Sequence, residues 1–158
     1  MLYPLTVLIG KAHMPFSKKK ITGVEYYQIE KLLLPGMVFM TKTRGELSNI
    51  VNPGFWKHGA MYVGEGLVIE ALGRGVVIRD LVTFLTSKDF VAVLKPKFAT
   101  ESEMKMAAEK SREWEGALYD YWFEMNDKAF YCYEVIYRSY KVTLEGLGKG
   151  NRRRRLLS

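Results

Sequence analysis

The only cysteine of the chain lies in the aromatic-rich stretch "AFYCYEVIYRSY". Apolar residues recur there at roughly helical spacing, which predicts a helix that begins close to Cys132. Unpaired N–H groups and the positive end of the helix dipole favour a thiolate in a first helical turn. Cys132 is therefore a candidate nucleophile. Free cysteines are also among the most often buried residues, so a purely structural role is the alternative interpretation.

A nucleophilic cysteine needs a base, and the base needs a third group that fixes its tautomer. His58 begins the run "HGAMYV", and Glu70 is the acid inside the following apolar run "LVIEAL". If Val63 pairs with Leu67, a three-residue loop connects the two strands. Ala60 then faces Glu70, and His58 becomes a diagonal neighbour of Glu70 on one face, about 7–8 Å away at Cα. A two-residue loop would shift the register by one residue and place the two side chains on opposite faces of the sheet. A catalytic pair therefore requires a loop with an odd number of residues.

Both residues also have ordinary structural interpretations. Glu70 could be an edge-strand carboxylate that points to water, and His58 a strand-end histidine bonded to the backbone. His13, the other histidine, has no acid at a comparable offset and is interpreted as a surface or loop residue. The offset between one acid and one histidine across a predicted hairpin favours the catalytic interpretation.

The elements that must position these residues indicate an α+β domain. Three β-rich runs over residues 56–81, separated by "GEG" and "GRG", predict an antiparallel meander, because glycine permits the positive φ of tight turns. "PGMVFMTKT" and "DFVAVLKPKF" predict two further strands. Thr100 and Glu103 form a capping-box pattern at the start of a predicted helix, and Asn126 or Asp127 is predicted to cap the last one. Strands followed by helices, without βαβ alternation, are typical of this class.

The net charge of +7 is concentrated at the C-terminus. Five of the positive charges come from the last ten residues, namely Lys149, Arg152, Arg153, Arg154 and Arg155. We predict one nearly neutral domain over residues 1–148 and a basic, Gly-rich tail over residues 149–158. The four arginines make nucleic acid or an acidic surface a candidate partner, and a solvated tail without specific function is the alternative.

The composition favours a soluble globular protein. No apolar run approaches the ~20 residues that cross a bilayer, so no transmembrane segment is expected. One cysteine cannot form an internal disulfide, and two histidines do not provide the usual zinc spacings. "MLYPLTVLIG" lacks the flanks of a secretory signal and is interpreted as an early strand or docking segment. A cytoplasmic, reducing location is therefore expected.

Two stretches, "HGAMYVGEGLVIEALGRGV" and "YDYWFEMNDKAFYCYEVIYRSY", together resemble the circularly permuted branch of the papain-like superfamily. Within it the chain is similar to NlpC-type, YiiX-like and YebB-like hydrolases, relatives of the lecithin:retinol acyltransferase group. In that branch a strand-borne His precedes the helix-borne Cys, and a polar third residue lies between them. The resemblance covers roughly residues 35–141. Tyr133 stands where the family commonly has Ser.

The resemblance implies an antiparallel sheet packed against helices, with the nucleophile at a helix N-terminus. Cys132 would be the nucleophile, His58 the general base and then acid, and Glu70 the orienting carboxylate. The N–H of Cys132 would form part of the oxyanion hole. Candidates for its second donor are Tyr131, Tyr119 and Asn126. Aromatic candidates for lining a substrate groove are Trp56, Trp122 and Phe130.

The implied chemistry is acyl transfer through an acyl-enzyme intermediate, with no metal or organic cofactor. The first hypothesis is a cysteine amidohydrolase or peptidase for a small-molecule or peptide-like substrate, for example a cell-wall peptide or an isopeptide-like bond. A lipid-directed thioesterase or acyltransferase is the second, although that group usually has a second His at the position of Glu70. A non-enzymatic, basic-tailed binding module is the third. The family resemblance would suit a bacterial or phage protein.

Overall fold

The structure of the chain is a computed structural model that describes residues 6–8, 23–43, 55–122, 124 and 128–148. Its helices are α1 (Gly23–Leu32), α2 (Leu81–Thr86), α3 (Glu101–Arg112) and α4 (Cys132–Gly146). Its strands are β1 (Thr6–Leu8), β2 (Val38–Lys42), β3 (His58–Gly64), β4 (Leu67–Leu72), β5 (Gly75–Asp80), β6 (Phe90–Lys95), β7 (Leu118–Tyr119) and β8 (Ala129–Phe130). The α+β class is confirmed.

Six strands form one antiparallel sheet in the order β1-β6-β2-β3-β4-β5. Strands β3, β4 and β5 are sequential neighbours, which confirms the predicted meander. Strand β6 crosses back to pair with β2 and ends directly before Pro96, a residue that has no N–H for the ladder. The short strands β7 and β8 form a separate parallel pair.

The β3–β4 hairpin has the predicted pairing but a different turn. Ala60 pairs with Glu70, as expected, yet Gly64 pairs with Leu67 across a two-residue turn. The predicted three-residue loop is therefore wrong. Val63 is an extra residue in β3, a β-bulge that offsets the shorter turn and restores the register. Both turn residues, Glu65 and Gly66, have positive φ, as tight primed hairpin turns require.

Helix α4 begins later than the predicted cap residues imply. Its N-cap is Tyr131, so the assignment of Asn126 or Asp127 as the cap is wrong; both lie outside the described residues. The physical reason is the β7–β8 pairing, which holds Ala129–Phe130 in extended conformation up to the residue before the cap. Cys132 is consequently the first residue of α4, where backbone N–H groups have no partner within the helix.

Helices α3 and α4 pack against each other and against β3. Helix α3 starts at the predicted capping box, in which the Thr100 hydroxyl accepts a bond from the Glu103 N–H and the Glu103 carboxylate accepts one from the Thr100 N–H. Helix α2 contributes Phe84, whose ring lies 5.0 Å from that of Phe39 in β2. None of the helices in the described ranges is long and apolar enough to cross a membrane.

Candidate active site

Cys132, His58 and Glu70 meet at the start of β3. His58 Nε2 lies 2.6 Å from Oε2 of Glu70, and a second hydrogen bond joins the His58 ring to Cys132. Because the carboxylate engages Nε2, Nδ1 is the ring nitrogen left for the sulfur. Both ends of this chain of bonds are buried, with Cys132 at 8% exposure and Glu70 at 1%. The three residues thus form a continuous line of hydrogen bonds from the sulfur of Cys132 to the carboxylate of Glu70.

Gly59 explains how α4 comes close enough to β3 for this contact. A Cβ at position 59 would lie 2.8 Å from the ring of Tyr133 and 3.0 Å from Cδ1 of Ile136, and both residues belong to α4. The missing side chain lets the helix start beside the strand, where the Gly59 N–H also bonds to Cys132. A glycine directly after the histidine is therefore part of the site's construction.

The Cys132 sulfur lies in surroundings that favour its ionised form. Burial alone raises the pKa of the thiol, but the hydrogen bond from His58 and the bonds from the N–H groups of Gly59 and Tyr133 outweigh burial. The net effect is a pKa below the ordinary thiol value. A lowered thiol pKa beside a histidine is typical of catalytic cysteines and atypical of inert, buried ones.

The other two members are shifted in complementary directions. Burial lowers the pKa of His58, but its bonds to Cys132 and Glu70 outweigh burial and raise the pKa above the usual imidazole value. Burial raises the pKa of Glu70, but the bond to His58 and the charges of His58, Lys88 and Arg79 lower it below its usual value. Each of the three shifts is toward the charged form of its group: thiolate, imidazolium and carboxylate.

Comparison with known proteins identifies the family of the chain. A family model described as permuted papain-like amidase enzyme, YaeF/YiiX, C92 family, matches residues 33–151, well over half of the chain. The chain belongs to this family. It is therefore an enzyme of the cysteine amide-hydrolase type, and the resemblance to permuted papain-like, YiiX-like hydrolases inferred from the sequence is confirmed. The matched range contains all three residues of the site.

A solved structure agrees with this assignment at the level of the fold. The crystal structure of metalloprotein yiiX from Escherichia coli O157:H7 matches with a TM-score of 0.62 and 21% identity, over 71% of this chain and 67% of that one. No curated protein matches the chain. For the amidase itself, the described residues contain no group of three or more His, Cys, Asp or Glu side chains that could hold a metal ion.

Sequence reasoning missed two cationic residues of the site. Arg79 Nε lies 2.6 Å from Glu70 Oε1, and Lys88 Nζ lies 3.7 Å from Oε2. A signal for Arg79 was present: the turn of the β4–β5 hairpin pairs Glu70 with Val77, which makes Arg79 a diagonal neighbour of Glu70 on the same face. Lys88 follows α2 and has no comparable signal in the sequence.

The oxyanion-hole candidates occupy different positions. Burial and, to a smaller extent, the charge of Cys132 raise the pKa of Tyr119 to about 12. Tyr131 is the N-cap of α4, and burial and Glu134 raise its pKa more than Cys132 does. Asn126 lies outside the described residues.

The groove candidates also differ. Phe130 is 2% exposed and stacks on Trp114 at 5.1 Å between ring centroids, so it belongs to the core and its assignment to a groove wall is wrong. Trp122 is 84% exposed. Trp56 accepts a bond from the Tyr133 hydroxyl through its carbonyl oxygen at 3.5 Å, which places its backbone beside the start of α4. The role of Trp56 and Trp122 at a groove stays a prediction.

The basic tail and its four arginines lie outside the described residues. The family match accounts for the chain as an amidase, and nothing in it supports binding to nucleic acid. A role of Arg152 to Arg155 in contacts with an acidic surface stays a prediction.

Proposed function

We propose that the amidase hydrolyses amide bonds of peptide-like substrates with Cys132 as nucleophile, His58 as general base and acid, and Glu70 as the orienting carboxylate. The observation that carries the proposal is the unbroken line of hydrogen bonds from Cys132 through His58 to the buried Glu70. The sole cysteine of the chain supports the same role, because a papain-like amidase requires one.

In the first half of the reaction, the thiolate of Cys132 attacks the carbonyl carbon of the scissile amide. Protonated His58 then gives its Nδ1 proton to the departing nitrogen, so the amine leaves and an S-acyl thioester remains on the enzyme. Neutral His58 next takes a proton from water, and the hydroxide attacks the thioester. Collapse of the tetrahedral intermediate breaks the C–S bond and releases the carboxylic acid, which leaves the Cys132 thiolate beside His58, now protonated by the water proton.

Glu70 supports both halves by accepting the Nε2–H bond of His58. This bond fixes the ring so that Nδ1 faces the sulfur, and it stabilises the imidazolium that donates the proton. A neutral residue at this position would leave the ring free to take the other tautomer. The carboxylate is thus expected to matter for turnover far more than for substrate affinity.

Two groups near the sulfur suit the negative oxygen of the tetrahedral intermediate. The N–H of Cys132 has no partner within the helix because the residue opens α4. As the second donor we propose the Tyr119 hydroxyl, because Tyr119 is one of the residues whose pKa the charge of Cys132 raises; burial, the larger effect, and this charge together raise it to about 12, so the hydroxyl keeps its proton near neutral pH. Replacement of Tyr119 by Phe should lower kcat by roughly 10²-fold. An equal loss in Tyr131→Phe would contradict the assignment.

The proposal is tested by the pH dependence of iodoacetamide alkylation at Cys132, in the native protein and in His58→Ala. We expect alkylation to be fast already near pH 6, because the histidine stabilises the thiolate, and to slow toward ordinary thiol behaviour in the variant. A Cys132 that reacts only after unfolding, or with the same profile in both proteins, would contradict a catalytic role.

A panel of matched peptide amides, esters and thioesters then identifies the bond. We expect amide hydrolysis together with a mass increase of the intact protein that corresponds to one acyl group on Cys132. Cys132→Ser is the control and should lose both signals. Turnover of thioesters with no amide cleavage would favour the lipid-directed thioesterase instead, while a steady acyl adduct passed to an added amine would indicate a transferase.

A further inference from the structure

We propose that Arg79 and Lys88 are positioning residues for the triad: they hold Glu70 charged and correctly oriented while His58 changes its protonation state. The inference rests on the proposed function, because it requires that His58 and Glu70 act on Cys132. Neither residue touches the reacting atoms, so each would act on the reaction through Glu70.

The sheet places Glu70 between two diagonal partners. His58 lies in β3, two residues before Ala60, the residue paired with Glu70. Arg79 lies in β5, two residues after Val77, the residue paired with Glu70 on the other side. Glu70 divides its oxygens accordingly, with Oε2 at 2.6 Å from His58 and Oε1 at 2.6 Å from Arg79. The contact with Arg79 is a close ion pair without the linear geometry of a hydrogen bond.

The burial of Glu70 makes additional cations necessary. Its side chain is fully shielded from solvent, and an ionised carboxylate in that environment is costly unless it is paired. Protonated His58 provides one counter-charge. During deacylation His58 becomes neutral, and the carboxylate would then either bear an uncompensated buried charge or take up a proton. Arg79 and Lys88 keep it anionic in both states.

These cations are themselves held in place by α2 and the residues that follow it. Arg79 Nη2 donates to the Ser87 hydroxyl at 2.8 Å, and Ser87 in turn bonds to the carbonyl of Phe84. The Arg79 guanidinium and the Lys88 ammonium lie 5.4 and 5.3 Å from the Phe84 ring centroid. The hydrogen bond to Ser87 and the contact with the Phe84 ring hold the Arg79 side chain next to Glu70. The contact with the same ring restricts the Lys88 side chain.

The charged groups that face Glu70 come from two strands and from the segment after α2. Glu70 is faced by His58 from β3, by Arg79 from β5 and by Lys88 from the segment after α2. At the other end, the neighbours of Cys132 that titrate are tyrosines with raised pKa values, and Tyr119 and Tyr133 are both at about 12. Neutral tyrosines carry no charge near pH 7 that could compensate for a cation lost at Glu70. The loss of such a cation should therefore change the pH dependence of Cys132 alkylation.

The test is the pH profile of Cys132 alkylation in Arg79→Gln and Lys88→Gln. Without Arg79 the carboxyl binds a proton more easily and supports the imidazolium less, so the acidic limb of the profile should move upward by about one pH unit. Lys88→Gln should shift it in the same direction, because the charge of Lys88 also lowers the pKa of Glu70. Arg79→Lys keeps the charge and should restore most of the profile. Arg74→Gln, at an exposed arginine of the β4–β5 turn, should leave it unchanged.

Circular dichroism of each variant, measured alongside, reports whether it is folded, and Lys88→Gln provides the second test if Arg79→Gln does not fold. Profiles of both folded variants that coincide with the wild type, while His58→Ala shifts, would overturn the inference and leave the proposed function intact. A profile that is also unchanged in His58→Ala would overturn both. A shift in Arg74→Gln equal to that in Arg79→Gln would overturn the inference as well.

Discussion

Two buried glutamates of the amidase have pKa values that move in opposite directions. Glu70 in β4 and Glu134 in α4 are both essentially inaccessible to solvent. Burial raises the pKa of each, yet the value of Glu70 is lowered overall and that of Glu134 is raised. Burial alone therefore does not decide the charge of an interior acid in this protein. The partners that surround it do.

The two sets of partners differ in number and sign. Glu70 has three cationic groups within 3.7 Å, from His58, Arg79 and Lys88. For Glu134, burial raises the pKa by more than the ion pair with Arg138 at 2.7 Å lowers it, and the negative charge of Asp120 raises it slightly further. The surroundings of Glu70 thus stabilise its carboxylate, as the proposed orienting role requires, whereas the surroundings of Glu134 make its carboxylate less favourable than in water. Replacement by glutamine, which resembles a protonated glutamate, separates these two cases.

The largest expected difference is in turnover. Glu70→Gln should lower kcat/KM by about 10²–10⁴-fold, because a neutral amide neither fixes the His58 tautomer nor stabilises the imidazolium. Glu134→Gln should stay within about tenfold of the wild type, since the ion-pair partner of Glu134 is Arg138 and not His58. Steady-state hydrolysis of one amide substrate compares the two variants. Equal losses would remove the distinction between an orienting and a structural acid.

The next effect concerns the stability of Glu70→Gln. The native pKa of Glu70 lies below its unfolded value of about 4.3, so its stabilisation is present at neutral pH and is lost as the pH falls through the native pKa. The variant should be less stable by about 3 kcal/mol at pH 7, because Arg79 and Lys88 lose their counter-charge. Denaturant unfolding between pH 3 and 7 should show the difference shrinking toward acid. A constant difference would contradict the charge-based account.

The smallest effect has the opposite sign. The native pKa of Glu134 lies above its unfolded value, so its stabilisation is present in acid and is lost as the pH rises through the native pKa. Glu134→Gln should therefore gain on the wild type between pH 4 and 7, by up to about 1 kcal/mol. Thermal unfolding over that range measures the gain. Glu115→Gln, at an exposed acid, is the matched control and should show none; a loss of stability that grows with pH would contradict the comparison.

Much of the site could be predicted because it depends on local rules. The meander, the Ala60–Glu70 pairing and the Thr100 capping box follow from alternation, glycine positions and a known capping pattern, and the structure confirms each. The proximity of Cys132 to the hairpin required a family resemblance, because no local rule relates residues so distant in sequence.

The errors share a different cause, which is competition between interactions that the sequence does not rank. The cap of α4 was assigned to nearby polar residues, whereas pairing between β7 and β8 keeps the chain extended as far as Tyr131. Phe130 was expected at a groove, but stacking on Trp114 draws it into the core. Lys88 contacts Glu70 because tertiary packing places the segment after α2 next to the sheet, and the sequence gives no local signal for this placement.

The bulge at Val63 has a consequence for how this protein could change over evolution. Surface hairpins commonly accept insertions and deletions, since their length matters little to the core. Here the two-residue turn and the bulge together determine whether His58 and Glu70 share a face. A single-residue insertion or deletion between them would move one side chain to the opposite face, and it would be tolerated only if a second length change in the hairpin compensated for it. The number of residues between His58 and Glu70 can therefore change only by an even number, although the side chains of the turn take no part in the proposed chemistry.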